Sequence, residues 1–196
     1  MPPVLLIAGS PSAPSRSTVL LDVVADRLAL RDIETRLLEV RELPPAALLA
    51  ADVSQPAISR ALDDLAAAPA VVVATPVFKA AYSGLLKVFL DLLPQGALKG
   101  KAVLPLATGG SPHHMLALDY ALRPVLQSLG ARHILPGLYA SDVQVALTPE
   151  GAHQLQVELF DRLAEAVQAL AAEGLRMPTG HGFFTPVPFA SVRCSV

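Results

Sequence analysis

Between an apolar run, Val4-Leu5-Leu6-Ile7-Ala8, and an amphipathic segment from Val19 to Leu30 lies Gly9-Ser10-Pro11-Ser12-Ala13-Pro14-Ser15-Arg16-Ser17-Thr18. The run reads as a strand buried on both faces and the segment as a helix. The connection thus brings several hydroxyls and a guanidinium to a helix N-terminus. Free backbone N–H groups, the positive end of the helix dipole and a fork-shaped cation suit a phosphate. No GxxxxGK[ST] is present, which argues against a nucleoside triphosphate. No GxGxxG clears the backbone for a dinucleotide pyrophosphate. A terminal phosphate monoester remains, and FMN is the commonest such cofactor on an α/β sheet. Ser10, Ser15, Ser17 and Thr18 are the hydroxyl donors and Arg16 the charge partner. Helix capping alone accounts for one hydroxyl, and the surplus favours an anion site.

Two further loops carry distinctive residues. Thr75-Pro76-Val77-Phe78-Lys79-Ala80-Ala81-Tyr82-Ser83-Gly84 follows the most hydrophobic run. Its backbone donors and aromatics suit the edge and face of an isoalloxazine, although the same residues also read as generic packing. A cation at Lys79 would stabilise a reduced flavin anion, or stand solvated. Thr108-Gly109-Gly110-Ser111 has two glycines that let backbone approach a flat ligand closely, or a simple turn. His113 and His114 follow; one could sit near the open flavin face, but with no Cys, Asp or Glu at ligand spacing a metal site is not expected. No nucleophile-base pair and no GxSxG emerge; Asp119, Asp142 and Glu150 are scattered. The chemistry is that of a bound cofactor.

These loops need a frame. Strands are expected at Val4–Ala8, Ile33–Val40, Ala70–Ala74, Ala102–Ala107 and His133–Tyr139. Helices are expected at Val19–Leu30, Ala57–Ala67, Leu85–Leu93, Pro112–Leu129 and Pro149–Glu173, with Thr75–Ser83 as a loop. Alternation of this kind makes an α/β, flavodoxin-like, doubly wound five-stranded parallel sheet with helices on both faces, in the order 2-1-3-4-5. In that order strands one and three flank the switch point and strand four adjoins it, so the three loops converge. Residues 1–176 form the domain; 177–196, rich in proline and glycine and without period, form an extended tail.

A charged fraction of 16% and a net charge of -2 argue against nucleic acid and against a strongly acidic electron carrier of flavodoxin type. The apolar fraction of 53% suits a buried parallel sheet and a homo-oligomer. Cys194 is the only cysteine, so no internal disulfide forms. Val4–Ala8 is too short for a signal segment and no run approaches a membrane span, so a cytoplasmic protein is expected.

At the three loops the chain resembles the NADPH-dependent FMN reductases of sulfonate-utilisation systems. The stretches that carry the likeness are GSPSAPSRST, ATPVFKAAYSGLLKVFLDLLP, LKGKAVLPLATGG and LALDYALRPVL, within Val4–Val145. Members often have Arg at the position of Ser12, which removes one phosphate contact here, and Tyr at that of Phe78. The resemblance implies a homo-oligomer, dimer or tetramer, that passes hydride from NAD(P)H to FMN and releases reduced FMN to a partner monooxygenase. It places the phosphate on Ser10, Ser15, Arg16, Ser17 and Thr18. The isoalloxazine falls to Pro76, Val77, Phe78, Lys79, Thr108, Gly109 and Gly110. Pro124 lacks an N–H for the carbonyl of Tyr120, so a kink or π-bulge is expected in that helix. The resemblance associates a tyrosine there with a π-helix at a subunit interface and with flavin release. The alternatives are a quinone, azo or metal-ion reductase that retains FMN, and a non-enzymatic electron carrier.

Overall fold

Every residue of Val4–Ala8 (β1) is buried, as a strand covered on both faces must be. The computed structural model describes residues 2–147 and 152–175. After β1 come α1 (Arg16–Ala29), β2 (Thr35–Glu39), α2 (Pro45–Leu49), α3 (Pro56–Ala67) and β3 (Ala70–Phe78). A short β4 (Ala81–Tyr82), α4 (Gly84–Leu90), β5 (Ala102–Gly109) and α5 (Arg123–Ser128) follow. The chain continues through β6 (His133–Ile134), β7 (Leu138–Ser141), β8 (Val145–Leu147), β9 (His153–Leu155) and α6 (Val157–Ala169).

β1 pairs in parallel with β2 on one side and β3 on the other; β3 pairs with β5, and β5 with both β6 and β7. With β6 and β7 as one interrupted strand, this is the order 2-1-3-4-5. The interruption is Leu135-Pro136-Gly137. Pro136 has no N–H to give the ladder, although Leu135 N–H still donates to the Val103 carbonyl at 2.9 Å.

Strand alternation divides the core. Val4, Leu6, Ala70, Val72 and Leu104 pack with Leu20, Val24 and Leu28 of α1 and Leu159, Leu163 and Val167 of α6. Leu5, Ile7, Val71, Val73 and Val103 face Ile58 and Leu65 of α3, Leu86 and Phe89 of α4 and Leu126 of α5. Period two in the strands meets a helical stripe on each face. α3 opens with Pro56 at its first position, and the Gln55 side chain accepts from the amides of Ala57 and Ile58 at 2.6 and 3.1 Å.

Several boundaries differ from expectation. The loop 75–83 is a β-hairpin: β3 runs to Phe78 and pairs antiparallel with β4. Its turn places Lys79 and Ala80 at φ +52 and +64°, the paired positive values of a two-residue I′ hairpin. The helix expected over Pro112–Leu129 is broken into a 3₁₀ turn (Pro112–Met115), a π turn (Leu118–Leu122) and α5. Arg123 N–H donates to the carbonyl of Leu118, five residues back, and Pro124 has no N–H to restore the α pattern. The helix expected from Pro149 starts at Val157, because β8 and β9 pair before it. α4 stops at Leu90 and the chain turns through Leu93. Gly130, at φ +88°, ends α5 as a C′ glycine does. The expected tail 177–196 lies outside the described residues. Among those described, no helix is long and apolar enough to cross a membrane.

Candidate functional site

The loops after β1, β3 and β5 meet at the carboxyl edge of the sheet around a cavity of about 310 Å³. Ser10, Ser15, Arg16, Pro76, Val77, Phe78, Thr108, Gly109 and Gly110 line it, together with Ser12, Pro14 and Asp142. Ser17, Thr18 and Lys79 do not. Ser17 is fully buried, and its hydroxyl lies 3.0 Å from that of Ser15. Thr18 turns its amide to the Ser15 carbonyl at 3.1 Å. Lys79 sits in the hairpin turn, outside the cavity wall.

The start of α1 has no side-chain cap although a serine stands there. Ser15 occupies the N-cap position, yet its side chain makes no capping hydrogen bond. By contrast Gln55, Ser83 and Ser111 each cap the element they precede. The Ser15 hydroxyl turns to Ser17, and the amides of Arg16 and Ser17 make no hydrogen bond among the described residues. Unsatisfied amides at the positive end of a 14-residue helix are donors of the kind an anion requires. Ser10, nearly buried, closes the loop by accepting from the amide of Ser12 at 3.2 Å.

Ser83 ties the first two loops together. Its hydroxyl donates to the Gly9 carbonyl and accepts from the amide of Leu86, while its own amide donates to the Thr75 hydroxyl at 3.0 Å. In the sequence Ser83 is only the end of the loop before a helix; its reach to Gly9 is a tertiary contact.

Gly109 is a glycine for lack of room. A Cβ there would lie 2.8 Å from the Tyr139 hydroxyl and 3.4 Å from the Cβ of Val77. The Tyr139 hydroxyl donates to the Ser111 carbonyl at 2.6 Å and so holds the third loop. Burial, and then the negative charge of Asp142, push the Tyr139 phenol above its usual range, so it serves as a neutral donor. His114 stands behind this loop: its Nδ1 is buried without a partner among the described residues, 3.5 Å from the Cβ position of Gly109. His113 and His114 border a separate hollow of about 440 Å³ under the π turn, with Leu116, Tyr120 and Ala80.

Asp142, one of the carboxylates that look scattered in the sequence, also lines the cavity. It follows the last strand of the sheet, a position the rule of carboxyl-end loops covers. Its Oδ2 is 3.8 Å from Arg16 Nη1, and its amide donates to the Gly109 carbonyl at 3.1 Å. Arg16 Nε donates to the Val145 carbonyl at 3.0 Å. A neighbouring hollow of about 470 Å³, lined by Met115, Leu118, Gly137, Tyr139 and Arg162 among others, has no helix N-terminus or cluster of hydroxyls. No group of three metal-ligating side chains occurs among the described residues.

A parallel sheet in this order, with an uncapped helix start and a glycine cradle at its switch point, defines a flavodoxin-like α/β protein. The same fold is found in a flavodoxin from Streptococcus pneumoniae, at a TM-score of 0.58 and 15% identity over 86% of this chain and 96% of that one. Residues 2–146 match the family model described as NADPH-dependent FMN reductase, and the chain belongs to that family. It is 45% identical to an FMN reductase (NADPH) of Escherichia coli K12 over 178 residues, 89% of this chain and 93% of that one. The crystal structure of the apo form of the NADH:FMN oxidoreductase EMOB superposes with a TM-score of 0.83 at 38% identity, covering 98% of this chain and all of that one. The protein is accordingly an oxidoreductase that works with FMN and NAD(P)H.

Proposed function

We propose that the chain reduces FMN as an exchanging substrate, at the expense of NAD(P)H, and yields the reduced flavin to an FMNH2-dependent monooxygenase. The observation that carries this reading is the uncapped start of α1 facing a shallow three-loop cavity. It offers donors for one phosphate monoester without enclosing it. The residues present fit FMN: the amides of Arg16 and Ser17 with the hydroxyls of Ser10 and Ser15 would hold the phosphate. Pro76, Val77 and Phe78 and the backbone of Thr108–Gly110 would lie along the isoalloxazine. FMN supplies the hydride-accepting chemistry when bound. The chain's part is to bind, orient and leave one face accessible to nicotinamide. Ser17 holds Ser15 in this reading and Thr18 closes the first helical turn, each one step behind the phosphate.

Tyr120 belongs to the release side of the proposal. It stands on the π turn, is 78% exposed, and has Met115 and Leu116 as exposed apolar neighbours. β4 of the hairpin packs against the same turn. This apolar face is the proposed self-association surface of a homo-oligomer, and the irregular turn the element through which assembly affects flavin exchange. Tyr120→Ala is expected to change the sedimentation of the protein and its turnover with free FMN together.

Anaerobic NADPH oxidation at varied free FMN tests the main reading. Turnover that saturates in free FMN is expected. Turnover independent of added FMN, in a protein whose flavin survives dialysis, would make it an FMN-retaining reductase with another acceptor.

A further inference from the structure

Resting on the assignment of the three-loop cavity to the flavin phosphate, we infer that Asp142 competes for Arg16 and so sets a loose grip on the flavin. Arg16 and Asp142 are the charged residues that line the cavity among the described residues, and they oppose each other. Their closest charged atoms are 3.8 Å apart, with side chains 39 and 42% exposed. Both ends of the pair are held. The Asp142 amide is tied to the Gly109 carbonyl at 3.1 Å, which fixes the carboxylate beside the third loop. Arg16 Nε is tied to the Val145 carbonyl at 3.0 Å, which draws the guanidinium toward the same segment.

A phosphate monoester carries close to two negative charges at neutral pH. It enters a lining whose formal charge is zero, since one guanidinium balances one carboxylate. The bidentate fork that makes arginine a strong phosphate ligand is compromised on both counts. Nε is spent on a carbonyl, and Nη1 faces a carboxylate that the phosphate must displace. The anion is left mainly to neutral donors, the hydroxyls of Ser10 and Ser15 and the first amides of α1. Those donors recognise phosphate without the charge pairing that would make the flavin a fixture. Asp142 is thus a specificity-determining residue for exchange, acting on the phosphate through Arg16.

Equilibrium quenching of flavin fluorescence with FMN and with riboflavin, which lacks the phosphate, tests the inference on wild type, Asp142→Asn, Arg16→Gln and the double variant. Asp142→Asn keeps the size of the side chain and removes the charge. It is expected to lower the Kd for FMN roughly fivefold, the scale of an exposed ion pair, and to slow FMN dissociation in stopped-flow displacement. The Kd for riboflavin should not move, and in the Arg16→Gln background the gain should shrink to what direct repulsion between Asp142 and the phosphate contributes. An unchanged or raised Kd for FMN in Asp142→Asn, an equal effect on riboflavin, or a gain that is undiminished in the Arg16→Gln background would each overturn it. Arg16→Gln alone reports on the underlying assignment. If it weakens FMN and spares riboflavin, the phosphate site stands whatever Asp142 does; if it affects neither, the site itself is misplaced.

Discussion

Ser15 and Ser83 are the same amino acid at the same kind of position, the residue before a helix, and they do different work. Ser83 caps α4 and reaches Gly9, so Ser83→Ala loses a cap and leaves the Gly9 carbonyl without its donor. About 1–2 kcal/mol of unfolding free energy should go with it in urea titrations. Ser15 makes no bond to its helix. Ser15→Ala should cost less than about 0.5 kcal/mol while weakening FMN severalfold by fluorescence quenching. A large stability loss at Ser15 would show that it is an ordinary cap after all. Tyr139 adds a pH-dependent case. Its folded phenol titrates above the ordinary 10.0 that the unfolded chain retains, so the stability linked to it is complete below pH 10 and is lost as pH rises through the folded value. Tyr139→Phe should therefore cost about 1 kcal/mol at pH 7, with a penalty that shrinks above pH 10. Denaturant midpoints at pH 7 and above 10 check this.

Among the elements, the junction of β1 with α4 is tightly packed near the site. A Cβ on Gly9 would lie 2.8 Å from that of Leu86 and 3.2 Å from the Ala74 carbonyl oxygen. Gly9→Ala must displace α4 or spread β1 from β3, an overpacking cost of about 1–3 kcal/mol by urea unfolding. FMN affinity should fall with it, because the same shift opens the phosphate loop. The hairpin β3–β4 turns on Lys79 and Ala80, both in the left-handed region without being glycine or asparagine. Neither residue announces such a turn, so the segment reads as a loop in sequence. An irregular turn, kink or π-bulge, was legible for the opposite reason: Pro124 removes a donor from the helix ladder, a strictly local fact. Helix α6 was placed too early because its true start depends on β8 pairing with β9. Strand β2 blurred at its ends, since an edge strand alternates partly exposed and polar residues.

At the scale of the whole molecule, strand order does what no loop does alone. With β1 between β2 and β3, and β5 beyond β3, three loops from distant parts of the chain open onto one cavity. A ligand bound there bridges both core layers and stabilises the fold by mass action. At FMN one hundred times its Kd the gain is about 2.7 kcal/mol, which corresponds to a rise in Tm of roughly 5–10 °C in a thermal melt. Riboflavin at equal concentration should give a smaller rise, having no phosphate for α1. By itself the sequence determined the parallel sheet, because strands buried on both faces must be written as continuous apolar runs. It also determined the chemistry of the three loops, because hydroxyls, arginine and paired glycines are identities, not arrangements. Tertiary structure alone decided that Ser15 leaves its helix uncapped, that Ser83 reaches Gly9, that Gly109 has no room for a methyl group, and that Asp142 opposes Arg16. Each of these is a distance between residues far apart in the chain or a choice among competing partners, and local periodicity encodes neither.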